Sequence, residues 1–546
     1  MTTPTSWLAD DPDDSTRAEL RALLDAAAAG DVDARTQLAE RFSGRLQFGT
    51  AGLRAAMGAG PMRMNRLTVG RAAAGLASWL RDHSGKAVVI GYDARTRSDV
   101  FARDTAEIMS GAGLAAIVLP RPLPTPVLAF AIRETGADAG VMVTASHNPA
   151  ADNGYKVYLG DGSQIVPPVD GEIAACIDAV GQLSDIPRGD EWTTMDDIAA
   201  RYVTRAATLV PPDAPRNLVI VTTAMHGVGG ELLTESLTAA GFADPHVVVE
   251  QQNPDPAFPT VTFPNPEEPG ALDLAITLAR SVDADIVLAN DPDADRCAVA
   301  VPTPSGRWRQ LTGDEVGGLL GEFLAAQGVT GTFATTIVSS SRLSLIAEAH
   351  GLSHVETLTG FKWIGRVPDL AFGYEEAIGY CVDPAAVADK DGITAALRIA
   401  ELAARLKAEG RSLLDAVDDL DRTYGVHLTS QVSVRSNDAD ALRASVDSLL
   451  NAPPTQVGGL AVLAVTDLSG GLGGLPPTEG VRLVLAGPTA DGSARAVVRP
   501  SGTEPKLKAY LEVVVPLSGT PLDAARGSAT AAMSRMRDDV EAHLTA

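Results

Sequence analysis

The sequence predicts a layered α/β fold with several domains, and three observations support this prediction. Short apolar runs alternate with Ala-rich amphipathic stretches, which is the pattern of strand–helix–strand units. Polar loops rich in Gly, Ser, Asp or His follow several of the predicted strands, as in ligand-binding α/β sheets. The chain has 546 residues, too many for one hydrophobic core, so about three to five domains are expected.

The composition is that of a globular protein with an acidic surface. Hydrophobic residues make up 45% of the chain, aromatic residues 4%, and the formal net charge is −25. A nucleic-acid-binding protein needs a basic surface, so nucleic acid is excluded as a partner. We therefore expect any anionic ligand to be held by a local cluster of cations.

The cysteines and the N-terminal residues indicate the compartment. Cys176, Cys297 and Cys381 are far apart and odd in number, so neither a disulfide framework nor a cysteine-type zinc site is expected. The first 14 residues are acidic and lack the cationic and apolar regions of a signal peptide. We find no uncharged, apolar stretch of about twenty residues to cross a membrane. We predict a cytoplasmic protein without a membrane partner.

The first helix is predicted from the capping box of Thr16 and Glu19, and it is expected to stop at Gly30. Beyond it, strands are expected wherever short apolar runs end in polar loops. The predicted strands are 87–91, 115–119, 140–143, 218–221, 285–289 and 332–338.

Linkers and changes of pattern divide the chain into domains. A Pro-rich linker lies at 210–215, whereas the Pro-rich stretch 252–269 is interpreted as a long connection inside a domain. After residue 424 the pattern changes to predicted strands at 431–435, 481–485 and 494–499, with a Gly/Pro-rich stretch at 458–477. The predicted domains are 1–208, 209–312, 313–425 and a smaller C-terminal domain, 426–546.

The segment VMVTASHNPAADNGYKVY, residues 141–158, gives the strongest indication of chemistry. A strand end fixes a nucleophile and the following loop exposes it, which makes Ser146 the candidate nucleophile, with His147 beside it. Lys156 follows an Asn-Gly pair that we expect to be flexible, so that the ammonium can fold back toward the hydroxyl. Taken alone, Ser146 and His147 are better explained by an ordinary strand-to-loop turn.

The segment DPDADR places Asp291, Asp293 and Asp295 at alternate positions of a tight loop after a predicted strand. Three such carboxylates offer hard oxygen ligands to one divalent cation. An EF-hand is excluded because Arg296 and Pro302 stand where it needs glycine and glutamate. A haloacid-dehalogenase nucleophile loop opens its domain's first strand, whereas this loop lies deep in the chain. We favour a metal site over a solvated acidic turn.

Two further loops carry weaker indications. Glu375 and Glu376 lie between an apolar run and a glycine, where they could accept hydrogen bonds from sugar hydroxyls, although an exposed turn explains them more simply. Neighbouring loops contain Thr359, Gly360, Lys362 and Lys390.

The segment VVRPSGTEPKLKAY has the composition of a phosphate site. Arg499 supplies a guanidinium, Ser501 and Thr503 supply hydroxyls, and Gly502 leaves the backbone N–H groups accessible. A lysine-bearing turn before a strand is the alternative. We favour phosphate binding because the Ser-Gly-Thr core lies beside an arginine.

Together these loops resemble those of the α-D-phosphohexomutase superfamily, in the same order and across essentially the whole chain. TASHNP resembles its phosphoserine loop, DPDADR its magnesium loop, GYEEAIG its sugar-recognition loop and RPSGTEP its phosphate loop. FGTAGLRAAMG is similar to the opening segment of the family, whose arginine corresponds to Arg54.

The resemblance implies three similar mixed α/β domains and a smaller, TATA-binding-protein-like α+β domain around a central cleft. It implies that Ser146 carries the phosphoryl group and, with the three aspartates, holds one Mg²⁺ per chain. Catalytic positions are implied for Ser146, His147, Lys156, Arg54 and Lys390; substrate-binding positions for Arg296, Thr359, Gly360, Lys362, Glu375 and Glu376; and phosphate-binding positions for Arg499, Ser501, Gly502 and Thr503.

The implied reaction is that of a phosphosugar mutase. A phosphoserine phosphorylates a sugar monophosphate, and the resulting bisphosphate returns its other phosphoryl group to the serine, with Lys156 expected as general acid and base. We predict conversion of glucose 1-phosphate to glucose 6-phosphate, with glucose 1,6-bisphosphate or a similar compound as activator. Ala377 stands where many hexose members carry serine, so phosphomannomutase and phosphopentomutase are alternatives.

Other functions agree less well with the sequence. A phosphosugar phosphatase would use the same serine and metal but would admit water. A non-catalytic sugar-phosphate-binding protein would be favoured by loss of the serine or of an aspartate, and both are present. A serine hydrolase lacks its G-x-S-x-G motif here, and no nucleotide-binding G-x-x-x-x-G-K-[ST] motif occurs. Monomer and homodimer are both compatible with the sequence.

Overall fold

The structure, a computed structural model, describes residues 3–435, 439–500 and 506–545. Ser501, Gly502 and Thr503 of the predicted phosphate loop lie outside these residues. The chain divides into two compact units. The first unit consists of Met1–Pro302 and Cys381–Glu401, and the second of Thr303–Tyr380 and Leu402–Ala546.

The first unit alternates helices and strands along the chain. Its helices are α1 Pro4–Asp10, α2 Asp14–Ala28, α3 Val32–Arg41, α4 Arg66–Asp82, α5 Ser98–Gly111, α6 Thr125–Thr135, α7 Val169–Ala179, α8 Ile198–Ala207, α9 Gly230–Ala239, α10 Val249–Gln252 and α11 Asp273–Ser281. Its strands are β1 Leu53–Ala56, β2 Ala87–Tyr92, β3 Ala115–Val118, β4 Ala139–Val143, β5 Asp152–Leu159, β6 Thr193–Thr194, β7 Ile220–Thr223, β8 His246–Val247, β9 Ile286–Asn290 and β10 Cys297–Pro302.

Two mixed sheets organise the first unit. One has the strand order β1-β5-β4-β2-β3-β6, with β2 parallel to β3 and β4, and β5 antiparallel to β4 and β1. In the other, β7 is parallel to β8 and β9, and β10 is antiparallel to β9. The strands β4 and β9 are buried along their whole length, which explains their continuous apolar sequences. Each of the two polar loops that follow them begins at the carboxyl end of a buried strand.

The second unit contains a parallel core and a β-rich C-terminal part. Its first elements are β11 Trp308–Gln310, α12 Gly313–Ala326, β12 Thr332–Thr336, α13 Arg342–Ala349, β13 Ser353–Thr357, α14 Phe361–Ile364, β14 Leu370–Glu375 and β15 Gly379–Cys381. Helix α15, Gly392–Ala408, begins in the first unit and ends in the second. There follow α16 Leu413–Tyr424, β16 Val426–Arg435, α17 Ala439–Asn451, β17 Gln456–Val457, β18 Leu460–Asp467, β19 Val481–Ala486, β20 Ser493–Pro500, β21 Lys506–Val515 and α18 Leu522–Thr545.

The sheets of the second unit differ in strand direction. In the order β13-β12-β14-β15, strand β12 is parallel to β13 and to β14. The C-terminal sheet has the order β16-β21-β20-β19-β18-β17 and antiparallel pairing throughout. Its core joins alternate residues of these strands to one face of α18. The predicted class, three α/β sheet domains followed by an α+β domain, is confirmed.

Individual strands agree with their predictions, with ends displaced by up to two residues, at β2, β3, β4, β7, β9 and β12. The boundaries between the four domains, and their arrangement around a cleft, stay predictions. None of the described helices combines the length and the apolar composition that a bilayer crossing requires.

The predicted start of the first helix is wrong. Helix α2 is capped by Asp13, whose side chain accepts a hydrogen bond from the Ser15 N–H, and a further helix, α1, precedes it. The Thr16 hydroxyl instead donates to Asp11. Glu19 accepts from the N–H of Ala59 at 2.9 Å, a contact 40 residues along the chain. Thr16 and Glu19 therefore do not form a capping box: Thr16 makes a local contact and Glu19 a tertiary one.

Candidate active site

Ser146 lies three residues beyond β4 and has a backbone φ of 53°, in the left-handed region that residues other than glycine rarely adopt. Its side chain is almost fully buried. The Oγ atom donates to Asp291 Oδ2 at 3.1 Å and lies 3.1 Å from Nδ1 of His147. The loop after β4 and the loop after β9 thus bring a hydroxyl and a carboxylate together.

The three predicted metal ligands lie together in the loop after β9. Asp291, Asp293 and Asp295 are buried, and one oxygen from each lies within 4.8 Å of the others. Burial and the two neighbouring carboxylates raise the pKa of Asp291 well above its usual range. Among the described residues, one oxygen of Asp293 and one of Asp295 have no hydrogen-bond partner. Buried carboxylate oxygens of this kind require a cation, so the group fits a divalent metal ion.

Two lysines contact the same aspartates. Lys156 Nζ donates to Asp293 Oδ2 at 2.7 Å and to Asp295 Oδ2 at 3.2 Å, and Lys390 Nζ lies 3.3 Å from Asp295 Oδ2. Burial alone would lower the pKa of Lys156, but the two aspartates outweigh it and raise that pKa above its usual range. Burial would likewise raise the pKa of Asp293, but the Lys156 ammonium outweighs it and lowers that pKa. Lysine and aspartate therefore stabilise each other in the charged form.

The expected flexible turn before Lys156 is wrong. Asn153 and Gly154 belong to β5, and Lys156 is paired with Met142 of β4. The Asn153 side chain donates to the Ser98 hydroxyl and to the carbonyl of Thr96. The sheet, and not a mobile loop, holds Lys156 in place.

Three further predicted residues lie in or beside these loops: Arg54, His147 and Arg296. Arg54 of β1 donates to Asn148 Oδ1 at 3.2 Å, and Arg296 Nε lies 3.7 Å from Asp295 Oδ1. Withdrawal from water, followed by the charges of Arg296 and Arg54, lowers the pKa of His147 well below its usual range. The imidazole beside Ser146 is therefore neutral.

Two residues of this site were missed from the sequence. The Thr125 hydroxyl donates to Asp293 Oδ2 at 2.6 Å, and Asp389 lies 3.5 Å from the Lys390 ammonium. Asp389 also accepts hydrogen bonds from the Tyr158 hydroxyl at 2.9 Å and from the Gln164 amide at 2.9 Å. Asp389 could have been found, because it directly precedes a lysine already singled out. Thr125 opens a helix and gave no sequence signal.

The predicted sugar residues lie in the second unit. Glu375 ends β14, and its Oε1 accepts from the Gly360 N–H at 2.8 Å. Gly360 has a φ of 107°, which a residue with a side chain rarely adopts, so a glycine suits this turn. Thr359 and Lys362 are partly exposed on either side of Gly360. The structure thus brings the two weakest sequence motifs together.

Glu376 is held by hydroxyl groups. It accepts from the Ser339 hydroxyl at 2.9 Å and from the Thr336 hydroxyl at 3.2 Å, two contacts that the sequence did not predict. Desolvation, with smaller contributions from Glu375 and Asp314, raises the pKa of Glu376 to about 7. Glu376 therefore changes charge near neutral pH.

Arg499 lies near the end of β20, next to the undescribed residues of the predicted phosphate loop. Its guanidinium interacts with the Tyr510 hydroxyl, and the charge of Glu376 affects the same hydroxyl. Burial and Glu376 raise the pKa of Tyr510, whereas Arg499 lowers it. The second unit therefore places Arg499 and the glutamate pair around one tyrosine.

The chain is similar in sequence to known proteins. The sequence matches the α/β/α domains I, II and III of phosphoglucomutase/phosphomannomutase over residues 45–184, 200–306 and 312–424. A Haemophilus influenzae protein named "Probable phosphomannomutase" is 49% identical over 83% of this chain and 93% of its own length. The phosphoribomutase of Saccharomyces cerevisiae is 37% identical over 87% of both chains.

A solved structure shows the same fold. It is that of a phosphoglucomutase/phosphomannomutase family protein from Burkholderia thailandensis, with a TM-score of 0.67 and 21% identity, covering 91% of this chain and 96% of that one. Fold and matched domains define an enzyme of the isomerase class that transfers a phosphoryl group. The chain belongs to the phosphoglucomutase/phosphomannomutase family, so the predicted superfamily is confirmed.

Proposed function

We propose that this protein moves a phosphoryl group between C1 and C6 of a hexose phosphate, with Ser146 as the carrier. The observation that carries the proposal is the position of Ser146 Oγ, 3.1 Å from Asp291 within a buried group of aspartates and lysines. A phosphoryl group on this oxygen would lie among cations, in a protein whose overall charge is −25. Such surroundings suit phosphoryl transfer, which depends on positioning and charge stabilisation.

Two transfers complete the reaction. In the first, the bond between phosphorus and Ser146 Oγ breaks as a bond to the free sugar hydroxyl forms, and the hydroxyl gives up its proton. The resulting bisphosphate turns around and returns its other phosphoryl group to Ser146. Lys156 is the proposed general acid and base: its ammonium donates a proton first, and the amine that remains can accept one back. The neutral imidazole of His147, 3.1 Å from Ser146 Oγ, is able to accept the proton of the sugar hydroxyl.

Mg²⁺ would be held by Asp291, Asp293 and Asp295 with phosphorylated Ser146, and the buried oxygens of Asp293 and Asp295 that lack a hydrogen-bond partner among the described residues support this assignment. When bound, the ion would supply positive charge to neutralise the transferring group. Arg54, Arg296 and Lys390 are proposed to hold that group from the protein side. Exclusion of water from this group during transfer is what would distinguish a mutase from a phosphatase.

The residues of the second unit are proposed to bind the remainder of the substrate. Glu375 would read the sugar hydroxyls, with Glu376, Thr359, Gly360 and Lys362 around it. Arg499, together with residues 501–503, would grip the non-reacting phosphate, so that its binding energy orients the reacting end.

Glucose is the proposed sugar, and mannose is the second candidate. Ala377 has no hydroxyl to donate to the sugar, and a missing contact relaxes discrimination between epimers. The names of relatives support several sugars: the H. influenzae relative is named for mannose, and the yeast relative for ribose. A mouse relative, 34% identical, is named glucose 1,6-bisphosphate synthase, which supports a sugar bisphosphate as intermediate and activator.

The test is the ratio of kcat/KM values for glucose, mannose and ribose 1-phosphates, measured with catalytic glucose 1,6-bisphosphate. Mass spectrometry of the same protein should find one labile phosphate on the peptide that contains Ser146. A preference of more than about a hundredfold for mannose or ribose, some 2.7 kcal/mol of transition-state discrimination, would overturn glucose but leave the mutase reaction intact. Unphosphorylated Ser146 in a fully active enzyme would overturn the mutase proposal itself.

A cytoplasmic location is proposed as well, and localisation of the tagged protein tests it.

A further inference from the structure

A buried arginine underlies the loop that carries Ser146. This loop, residues 144–152, is called the serine loop below. Arg95 lies in the segment GYDAR directly after β2 and is only 4% exposed. One terminal nitrogen of its guanidinium donates to the carbonyls of Ser146 and Asn148, each at 2.6 Å. The other donates to the carbonyls of Pro149 at 2.8 Å and of Asp152 at 3.2 Å. A single side chain thus binds four backbone oxygens of the serine loop.

The remaining N–H of Arg95 faces Asp93. Its Nε lies 3.3 Å from Asp93 Oδ2, and the ring of Phe258 covers the guanidinium with its centroid 5.0 Å away. Four of the five N–H groups of the guanidinium donate to the loop carbonyls, and the fifth, on Nε, faces Asp93 as an ion pair without a hydrogen bond. The charge of Arg95 is therefore directed to the protein backbone and to Asp93, which distinguishes it from an arginine that binds a phosphoryl oxygen.

Thr144 fixes the other side of Ser146. Its hydroxyl accepts the Ser146 N–H at 2.9 Å. Asp93, which faces Arg95, is also fixed, since its Oδ1 accepts from the Ser98 hydroxyl at 2.7 Å and from the backbone N–H of Arg95 at 3.0 Å. The N–H of Ser146 is thus held by Thr144, and its C=O is held by Arg95, which Asp93 supports.

This arrangement explains the backbone of Ser146. A φ of 53° is unfavourable for serine and persists only where the surroundings impose it. Because the two peptide groups that flank Ser146 are fixed, its Oγ is directed toward Asp291. We propose that Arg95 is a positioning residue for phosphoryl transfer: it imposes the backbone geometry that aims Ser146 at the aspartates. The catalytic consequence rests on the proposed function, but the loop geometry does not.

Arg95→Lys tests the proposal, because lysine keeps the charge but has three donors on one nitrogen and cannot reach four carbonyls. We expect kcat to fall by about a hundredfold, the effect of a misplaced reacting group, while KM for the sugar phosphate stays within about threefold. Formation of the phosphoenzyme from glucose 1,6-bisphosphate, followed by quenched intact-mass analysis, should slow by the same factor. Hydrogen exchange of peptides that cover the serine loop should accelerate.

Arg66→Lys is the matched control. Arg66 also belongs to the first unit and forms two hydrogen bonds of 2.7 Å with buried Asp104, and within the described residues its hydrogen bonds and ion pairs do not involve the serine loop. This variant should lose thermal stability while keeping kcat within about threefold and leaving exchange of the serine loop unchanged. A purely structural role of Arg95 predicts that the two variants behave alike.

Asp93→Asn is the second variant, and it decides the question if Arg95→Lys does not fold. It removes the charge opposite Arg95 without changing size, so a loss of about tenfold in kcat with faster serine-loop exchange is expected. Wild-type kcat, or unchanged serine-loop exchange, in the folded variant would overturn the positioning role. Failure of the proposed function is a separate result: wild-type protein would acquire no phosphate on Ser146, while the loop exchange of the variants would still decide the role of Arg95.

Discussion

Two groups of carboxylates, one in each unit, have different neighbours. In the first unit Asp293 and Asp295 contact the ammonium groups of Lys156 and Lys390. In the second unit Glu376 accepts from hydroxyl groups, and Glu375 accepts from a backbone N–H. The first group has its charges balanced by cations, whereas the second is satisfied by neutral donors.

The difference indicates which ligand each group suits. Carboxylates whose charges are balanced by cations form a site of small net charge. Such a site suits charged ligands such as a metal ion and a phosphoryl group. Carboxylates surrounded by neutral donors are suited to the hydroxyl groups of an uncharged sugar ring. The proposed function therefore assigns phosphoryl transfer and hydroxyl recognition to different parts of the chain, so that substitutions should change the two separately.

The largest effect is expected from Ser146→Ala, because it removes the oxygen that carries the phosphoryl group. Activity should fall by roughly 10⁴-fold or more for every sugar phosphate. The steady-state rate with saturating glucose 1-phosphate and bisphosphate measures it. Ser236→Ala is a matched control, since this buried hydroxyl has no hydrogen-bond partner among the described residues and should be dispensable. Wild-type rates in Ser146→Ala would contradict the carrier role.

Asp293→Asn should have the next largest effect. It removes a charged oxygen ligand and one partner of Lys156 while keeping the shape, so activity should fall by about 10² to 10³-fold. Titration of activity with Mg²⁺ should show a lower rate at saturating metal and a higher half-saturation concentration. The loss should be the same for glucose, mannose and ribose phosphates. Full activity of chelator-treated wild-type protein would be incompatible with a metal at these aspartates.

Glu375→Gln should give a smaller and sugar-dependent loss. Replacing a charged acceptor by a neutral one should lower kcat/KM by about 10- to 100-fold, the free energy of a hydrogen bond to a charged group. Its size should differ among glucose, mannose and ribose phosphates, since these present different hydroxyls. The rate of phosphoenzyme formation, measured by intact mass, should fall less than kcat/KM. An equal loss for all sugars would remove the distinction between the two carboxylate groups.

Glu376→Gln should change the pH dependence of stability. The folded pKa of about 7 lies above the ordinary value of 4.5, so the contribution of Glu376 is fully present below pH 4.5 and is lost as pH rises through 7. The variant should therefore gain on wild type between pH 5 and pH 8, by roughly 1–3 kcal/mol. Chemical unfolding at both pH values measures this gain. A difference between the proteins that does not vary with pH would show that Glu376 does not titrate in this range.

The sequence predicted those features that local pattern controls. Continuous apolar runs located β4 and β9, and the polar residues after them located Ser146 and the aspartates. Local pattern failed where distant parts of the chain decide. Gly154 is typical of a turn, yet it lies in β5, where a glycine is needed because an added Cβ would lie 2.4 Å from the carbonyl oxygen of Thr144. Arg95 was not singled out, because the oxygens it binds lie more than 50 residues further along the chain.

The left-handed backbone at Ser146 has a consequence for how this protein can change under selection. A conformation of this kind destabilises the folded chain by about 1–3 kcal/mol unless glycine or asparagine occupies it. Ser146→Gly should accordingly unfold at a higher temperature than Ser146→Ala, with both inactive, and thermal unfolding of the pair measures the difference. Random mutagenesis selected only for heat resistance would drift toward glycine at position 146. A thermostabilisation campaign on this enzyme must therefore screen for turnover in every round.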